Sequence, residues 1–530
     1  MSETPAQSSE LSAGSFGALR TGAWALSSTS ILAGLAAAKL LLHLAGIRHY
    51  GFFRDELYYM ACGEHLAWGY VDQPPLIALF AWVSHRLLGN SIVSLRMMPV
   101  LAGTAVIVLT GMLARELGGG RFAQFLASAS LLCATAYLAF DSFFSMNAFE
   151  PLFWGVCAWI AVRIVKGADG WWWLAFGAVA GVGLENKHTM LVFGFAVVAG
   201  LVLAGEWRVF RSPWIWVGGL IALLIFAPNL LWEARHGWPQ IEVVRNAQLY
   251  KNVPITPLRF LAEQAIFMHP LTLPVWLGGL VWCFFSREGK RFRFLGWTYL
   301  IVLAVFVIFG GKSYYALPVY PLLLAAGAVA FERFSEARKR VWVRWAFPVV
   351  LLLGGAIAAP FGVPMLPIET FLRYSAKLPE GRAVKTERDA VGVELPQLYA
   401  DMFGWDTLAT TVAQVYHGLP EAERADCGIL AGNYGEAGAV DYYGPGLGLP
   451  KALSGHNAYF YWGPRGYSGA CMIVYGERSE EFVKNWGDVR VAATSVSPNA
   501  MPNERNVVIY LCRKPVAPLA ELWPKFKMII

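Results

Sequence analysis

Eight long stretches of this chain contain no Asp, Glu, Lys or Arg: 97–114, 122–140, 188–205, 212–232, 264–286, 294–311, 313–331 and 345–368. A helix that crosses a bilayer takes about 20 mostly apolar residues, so each stretch predicts a membrane span. Three weaker spans join them: 21–46, broken by Lys39; 148–165, which holds Glu150 and Arg163; and 171–186. The expectation is a mostly α, polytopic membrane protein with about 11 transmembrane helices. Composition agrees. Hydrophobic residues make up 56% and charged residues only 15%, against about 25% charged in soluble domains. This excludes a disordered chain, a coiled coil and a soluble enzyme.

The net charge of +7 is explained by the loops and does not call for nucleic acid. With the N-terminus in the cytoplasm, the inner loops carry Arg115 and Arg121, Arg163 and Lys166, Arg208 and Arg211, the run Arg287 to Arg293, and Arg333 to Arg344. All five are basic, as orientation by positive loops requires. The same assignment exports 47–96, 141–147, 233–263 and everything after about 365, which in a bacterium is the periplasmic side of the inner membrane. Residues 1–20 read as a Ser-rich cytoplasmic tail. No small-residue cleavage site follows them, so the first span reads as a retained anchor. The transmembrane domain then covers 21–368, with a catalytic exported loop at 47–96.

Charges return beyond 365, and short β-rich runs occur at 427–431, 471–475 and 507–512, with a helix expected near 434–443. Residues 370–530 read as an exported α/β domain. Cys427, Cys471 and Cys512 fall in or beside these strands. Two readings fit them equally, one disulfide or buried free thiols. Seven Cys without a C-x-x-C motif offer no zinc spacing.

The polar residues that remain gather at the predicted exported boundary. The first loop has Asp55 and Glu56 directly after the first span, and Asp72 before Pro74 and Pro75. Such acids can act as a general base and a metal ligand, or simply be solvated or cap a helix. DSFFSMNAFEPLFW adds Asp141, Asn147 and Glu150, and a carboxylate at membrane depth points to function unless it reaches the interface. LENKHTM adds Glu185, Lys187 and His188, where a salt bridge is the alternative. FMHPLTLPVW adds His269 and GGKSYYALPVYP adds Lys312. A packed core His and an interfacial Lys are the plain readings of these two.

The succession RDELYY, GYVDQPPL, NAFEPLFW, GLENKHTM, HPLTLPVW and GGKSYYALPVYP resembles the bacterial protein O-mannosyltransferase and aminoarabinose-transferase group of the GT-C superfamily, over roughly residues 25–335. The resemblance implies inverting transfer of a sugar from a polyprenyl-phosphate carrier to a lipid, glycan or protein acceptor on the exported side. Asp55 matches the acid taken as catalytic base, with Glu56 beside it. YVDQPPL resembles Y-x-E-K-P-P-L, which maps Asp72 onto a metal-associated Glu and Gln73 onto a phosphate-contacting Lys. Gln73 has no charge, so Arg54, Lys187, Arg259 or Lys312 takes over the phosphate, or phosphate binding differs here. His269 lies near a metal-contacting His, and the implied cofactor is a divalent cation (Mg, Mn or Zn). Where the family has a second Asp, this chain has Asn147 and Glu150. The competing class is a lipid or solute transporter, although the chain lacks the repeated halves common in transporters.

Overall fold

The computed structural model describes residues 27–378, 387–388 and 395–530; the predicted tail 1–20 lies outside them. Every predicted span is helical over most of its length. Among the described residues seven helices are long and apolar enough to cross a membrane: Ser28–Gly46, Ile92–Glu116, Met146–Val165, Pro213–Arg235, Gly289–Ile308, Ser313–Ala337 and Val343–Phe361. Pro257–Phe267 and Pro270–Phe285 form a pair bent by 93°, an eighth span if the two count as one. The other expected spans are shorter. The 122–140 stretch breaks into Arg121–Leu132 and Thr135–Phe140, and Trp172–Asn186 and Met190–Leu203 have 15 and 14 residues. The count of eleven therefore does not follow from helix length.

The bundle closes around Ser313–Ala337, whose apolar window is 78% buried, whereas that of Pro213–Arg235 is 17% buried. The outer helix exposes Trp216, Leu220, Leu223 and Leu224, as a lipid-facing surface requires. Lipid tails are as apolar as Leu, so close helix contact rests on small residues. Gly177 faces Gly218 between Trp172–Asn186 and Pro213–Arg235, and Gly327 faces the Val275 carbonyl between Tyr320–Ala337 and Leu273–Phe285; neither site has room for a Cβ.

Polar groups separate to the two ends. At one end four of the five basic loops meet: Lys166 pairs with Glu116 at 2.5 Å, Arg291 donates to the Val165 carbonyl, and Arg333 reaches both Gly118 and Glu288. The other end carries the first loop, with helices Arg54–Glu64 and Leu76–Leu88, and the C-terminal region.

That region holds a five-stranded sheet of β1 (Cys427–Ala431), β2 (Leu453–Ser454), β3 (Cys471–Tyr475), β4 (Trp486–Val496) and β5 (Asn506–Pro515), in the order β2-β1-β3-β5-β4. β1 runs parallel to β2 and β3, while β5 is antiparallel to β3 and β4. Three of these strands were legible as short apolar runs, and the expected helix near 434–443 is Tyr434–Tyr443. Cys427 and Cys471 sit opposite each other in register and form a disulfide, and Cys512 is a buried free thiol. Helix Tyr434–Tyr443 lies on Arg54–Glu64 so closely that Gly438 leaves no space for a Cβ against Leu57. One apolar core joins Leu57, Tyr58 and Cys62 to Ile429, Ala437 and Tyr475, and so fixes the C-terminal region over the first loop.

Candidate active site

The site is built on helix Arg54–Glu64, and Glu56 sets that helix in place. Its carboxylate accepts from the Phe53 amide at 2.8 Å, capping the first turn, and from the Phe144 amide at 2.8 Å. It also takes two bonds from the Arg96 guanidinium, at 3.0 and 2.8 Å, with both side chains 0% exposed. A carboxylate engaged in this way has no access to a substrate. Successive helix residues point about 100° apart, so fixing Glu56 inward turns Arg54 and Asp55 toward the C-terminal region.

Asp55 is 28% exposed, and its Oδ1 accepts from the Tyr434 hydroxyl at 2.9 Å. The Asp72 Oδ1 accepts from the Tyr58 hydroxyl at 2.8 Å, and the rings of Tyr58 and Tyr434 stack with centroids 4.6 Å apart. The two acids are thus neighbours across a pair of stacked phenols. Burial pushes Asp72 up to about 6; the Asp55 charge adds to this and the Tyr58 hydrogen bond opposes it.

Beside the acids lies a cluster of cations. Arg54, Lys312 and Lys251 stand 3.2, 3.1 and 3.9 Å from the carboxylate of Glu387, and none of the three is more than 19% exposed. Burial opposes ionisation of Glu387, but the three cations outweigh it and hold this carboxyl well below the usual carboxylate range. Arg54 is also 3.7 Å from Asp55 and 3.8 Å from Asp401, and its guanidinium lies 5.7 Å from the Tyr434 ring centroid. Burial raises Asp401 to about 7 against the pull of Arg54. Lys187 is one step further away. It bonds Asn147 at 2.8 Å and Glu150 at 3.0 Å, and Glu150 also accepts from Thr189. Lys187 and Lys312 both approach the Tyr314 ring, their ammonium groups 5.9 and 5.8 Å from its centroid.

The structure therefore brings together Arg54, Asp55, Asp72 and Lys312, with Asn147, Glu150 and Lys187 behind Tyr314. Other candidates are placed elsewhere. Asp141 forms a sealed pair with Lys39 at 2.6 Å. Gln73 is fully buried and donates to the Cys62 sulfur at 3.6 Å. Arg259 is half exposed and pairs with Glu263, which accepts from Ser313, so it reaches the Lys312 segment only through those two side chains. His269 occupies the bend before Leu273–Phe285 with φ 68°, and its Nδ1 accepts from the Leu271 amide. Among the described residues no group of three His, Cys, Asp or Glu could hold a metal ion, and Asp72 has a hydroxyl donor already on its Oδ1. These residues do not fit the expected divalent cation, and no chemical step is derived through one.

Sequence reading missed Lys251, Glu387, Tyr58 and Tyr434. Lys251 is a lone charge between Arg245 and Arg259 and Glu387 sits in the charged run KTERD; neither carries a motif. Tyr434 lies in the aromatic and Gly-rich stretch NYGEAGAVDYYGP, where nothing singles out one tyrosine.

Comparison with known proteins bears on the fold that carries these residues. Residues 72–232 match the family described as dolichyl-phosphate-mannose-protein mannosyltransferase. No curated protein sequence matches the chain. Among solved structures, ArnT from Cupriavidus metallidurans in the apo state is 16% identical over 91% of this chain and 98% of its own, with a TM-score of 0.59. The same protein bound to undecaprenyl phosphate is 15% identical over the same shares, also with a TM-score of 0.59. With its apolar bundle and small C-terminal sheet, the chain has the fold of these ArnT structures, and the segment 72–232 matches the mannosyltransferase family model.

Proposed function

We propose that this protein moves a sugar from a polyprenyl-phosphate carrier to an acceptor hydroxyl on a lipid, glycan or protein, with Asp55 as general base. One observation carries the reading: a solvent-reachable carboxylate, Asp55, stands beside Arg54, which shares Glu387 with two further poorly exposed cations, Lys251 and Lys312, at one polar end of an apolar bundle. Transfer of this kind has two electrostatic needs. The attacking hydroxyl needs a proton acceptor within hydrogen-bond reach, and the departing phosphate needs fixed positive charge where its own charge grows.

In this mechanism Asp55 takes the proton of the acceptor hydroxyl as its oxygen bonds to the anomeric carbon. The bond from that carbon to the phosphate oxygen breaks on the opposite face, so the configuration inverts. The electron pair leaves with the polyprenyl phosphate, which Arg54, Lys251 and Lys312 hold. Tyr434 keeps the Asp55 carboxylate oriented. The uncharged Gln73 is then no obstacle, because these cations come from other segments. The relative crystallised with undecaprenyl phosphate supports a carrier of this class.

The reading places the chain in a bacterial inner membrane with basic loops inside and residues 370–530 in the periplasm, a compartment compatible with the Cys427–Cys471 disulfide. Convergence of base and cations at one end favours an enzyme over a transporter, whose site must open to both faces.

The test is to incubate the purified protein with a panel of radiolabelled polyprenyl-phosphate sugars and bacterial membranes. Label should pass from at least one carrier to the membrane fraction with wild type and not with Asp55→Asn. Transfer at equal rates by both proteins would overturn the assignment of the base, and no transfer from any carrier would overturn the reading as a whole.

A further inference from the structure

Among the described residues Glu387 is the one carboxylate shared by three cations, Arg54, Lys251 and Lys312. Its position comes from outside the bundle. Glu387 and Asn252 form an isolated antiparallel bridge, and Arg388 donates to the Asn252 carbonyl at 3.2 Å. The side chain is 8% exposed, so it enters the cation cluster and does not lie over it. Three positive side chains face this carboxylate, and the other acids near Arg54, Asp55 and Asp401, stand further off at 3.7 and 3.8 Å. Those two acids face Arg54; among the described residues Lys251 and Lys312 pair with no acid but Glu387, so its departure would leave their two positive charges for an incoming anion.

A carboxylate and a phosphate offer the same features to such a cluster: two or more acceptor oxygens on one centre, carrying negative charge. They cannot both occupy it. We infer that Glu387 is a built-in occupant of the donor-phosphate subsite and that the phosphate of an arriving polyprenyl-phosphate donor displaces it. The inference rests on the carrier reading above for the identity of the ligand, but not for the displacement itself. Between turnovers Glu387 keeps three like charges from repelling one another and preserves their spacing. When the donor binds, the cations exchange one anion for another, and the work of removing Glu387 lowers the apparent affinity. After transfer the same carboxylate competes with the spent polyprenyl phosphate and so favours its release.

The alternative is a permanent organiser, a Glu387 that stays in place and orients the cations while phosphate binds elsewhere on them. The two roles differ in sign. Glu387→Gln keeps the size and removes the charge. If Glu387 is displaced, the variant should bind undecaprenyl phosphate about tenfold more tightly than wild type, and inorganic phosphate should raise its thermal midpoint more than it raises that of wild type. Unchanged or weaker binding of undecaprenyl phosphate by the variant would overturn the inference. Stabilisation of the variant by inorganic phosphate, with no binding of undecaprenyl phosphate by either protein, would uphold the displaced carboxylate and sink the lipid-carrier reading.

A second measurement does not depend on the folding of that variant. A fluorophore on Arg388→Cys, in an otherwise unchanged chain, should report a more solvated environment when undecaprenyl phosphate is added and no change with uncharged undecaprenol. An unaltered signal at undecaprenyl phosphate concentrations shown to saturate the protein would overturn the inference.

Discussion

The Tyr434 hydroxyl donates to the Asp55 carboxylate over 2.9 Å, linking residues 379 positions apart in sequence. Through this bond the C-terminal region contributes directly to the candidate site. Tyr434 is held from behind as well: its ring packs 4.5 Å from His456, and its amide donates to the Nδ1 of that histidine at 3.3 Å. A phenol fixed at both ends can orient a carboxylate without moving as substrates come and go.

Replacing Tyr434 with Phe keeps the ring stack on Tyr58 and removes only the hydroxyl. A hydrogen bond to a charged group is worth about 1.5–3 kcal/mol, so turnover should fall about tenfold or somewhat more while donor affinity stays near wild type. Rates measured at saturating donor, together with a separate binding titration, check the split. A loss confined to donor binding would mean that Tyr434 serves the phosphate and not the base.

Asp55→Asn preserves shape and most hydrogen bonding but leaves no proton acceptor. Turnover should drop about 10²–10⁴-fold with little change in donor binding. Single-turnover transfer measured on protein shown to be folded is the appropriate readout.

Lys312→Ala should show the opposite pattern. Under the proposed mechanism it removes a charge that would contact the phosphate in both the bound donor and the transition state, so the donor dissociation constant should rise about tenfold or more while kcat at saturation changes less. Lys312→Arg should restore part of the affinity, since a guanidinium also pairs with phosphate but with a different shape. Full activity in Lys312→Ala would exclude this residue from the phosphate site.

Stability should depend on pH through Asp72 with a definite sign. Burial raises its pKa from an ordinary 3.8 to about 6. Between these values the folded chain keeps a proton that the unfolded chain has released, so this group makes the fold less stable as pH rises through the window. The penalty is complete above about pH 6 and absent below about pH 4. Asp72→Asn cannot ionise, so its thermal midpoint in detergent should fall less than that of wild type, or rise more, between pH 4.5 and pH 7.5. Parallel curves for the two proteins would show that Asp72 is not desolvated.

How far the sequence alone reaches is clear from particular residues. Spans such as Ile92–Glu116 follow from apolar run length, and the sheet strands at Cys427 and Cys471 from short apolar runs between turns, because both signals are local. Asp55, Asp72 and Lys312 were found because they interrupt apolar surroundings at a boundary. Glu387 and Tyr434 were not, since each acquires its role through contacts between segments distant in sequence. Asp141 shows the same limit from the other side. The sequence places it in an exported loop beside Asn147 and Glu150, and only the fold reveals its buried partner, Lys39.

Glu56 separates structure from chemistry most sharply, because it is adjacent to the proposed base and identical to it in functional group. All of its observed bonds serve the scaffold: the Phe53 and Phe144 amides and the Arg96 guanidinium, with no exposed surface. Glu56→Gln would leave Arg96 buried without its counter-charge, and breaking such a pair costs about 3–5 kcal/mol. The variant should therefore unfold at a clearly lower temperature and accumulate poorly, yet the fraction that folds should transfer sugar at close to the wild-type rate per molecule. Changing Arg96 to Met as well removes the stranded charge and should recover part of the stability, which a catalytic role for Glu56 would not produce. Thermal unfolding and turnover per folded molecule, measured side by side for Glu56→Gln and Asp55→Asn, distinguish the two acids. A normal melting temperature with lost turnover in Glu56→Gln would make Glu56 the base and displace Asp55.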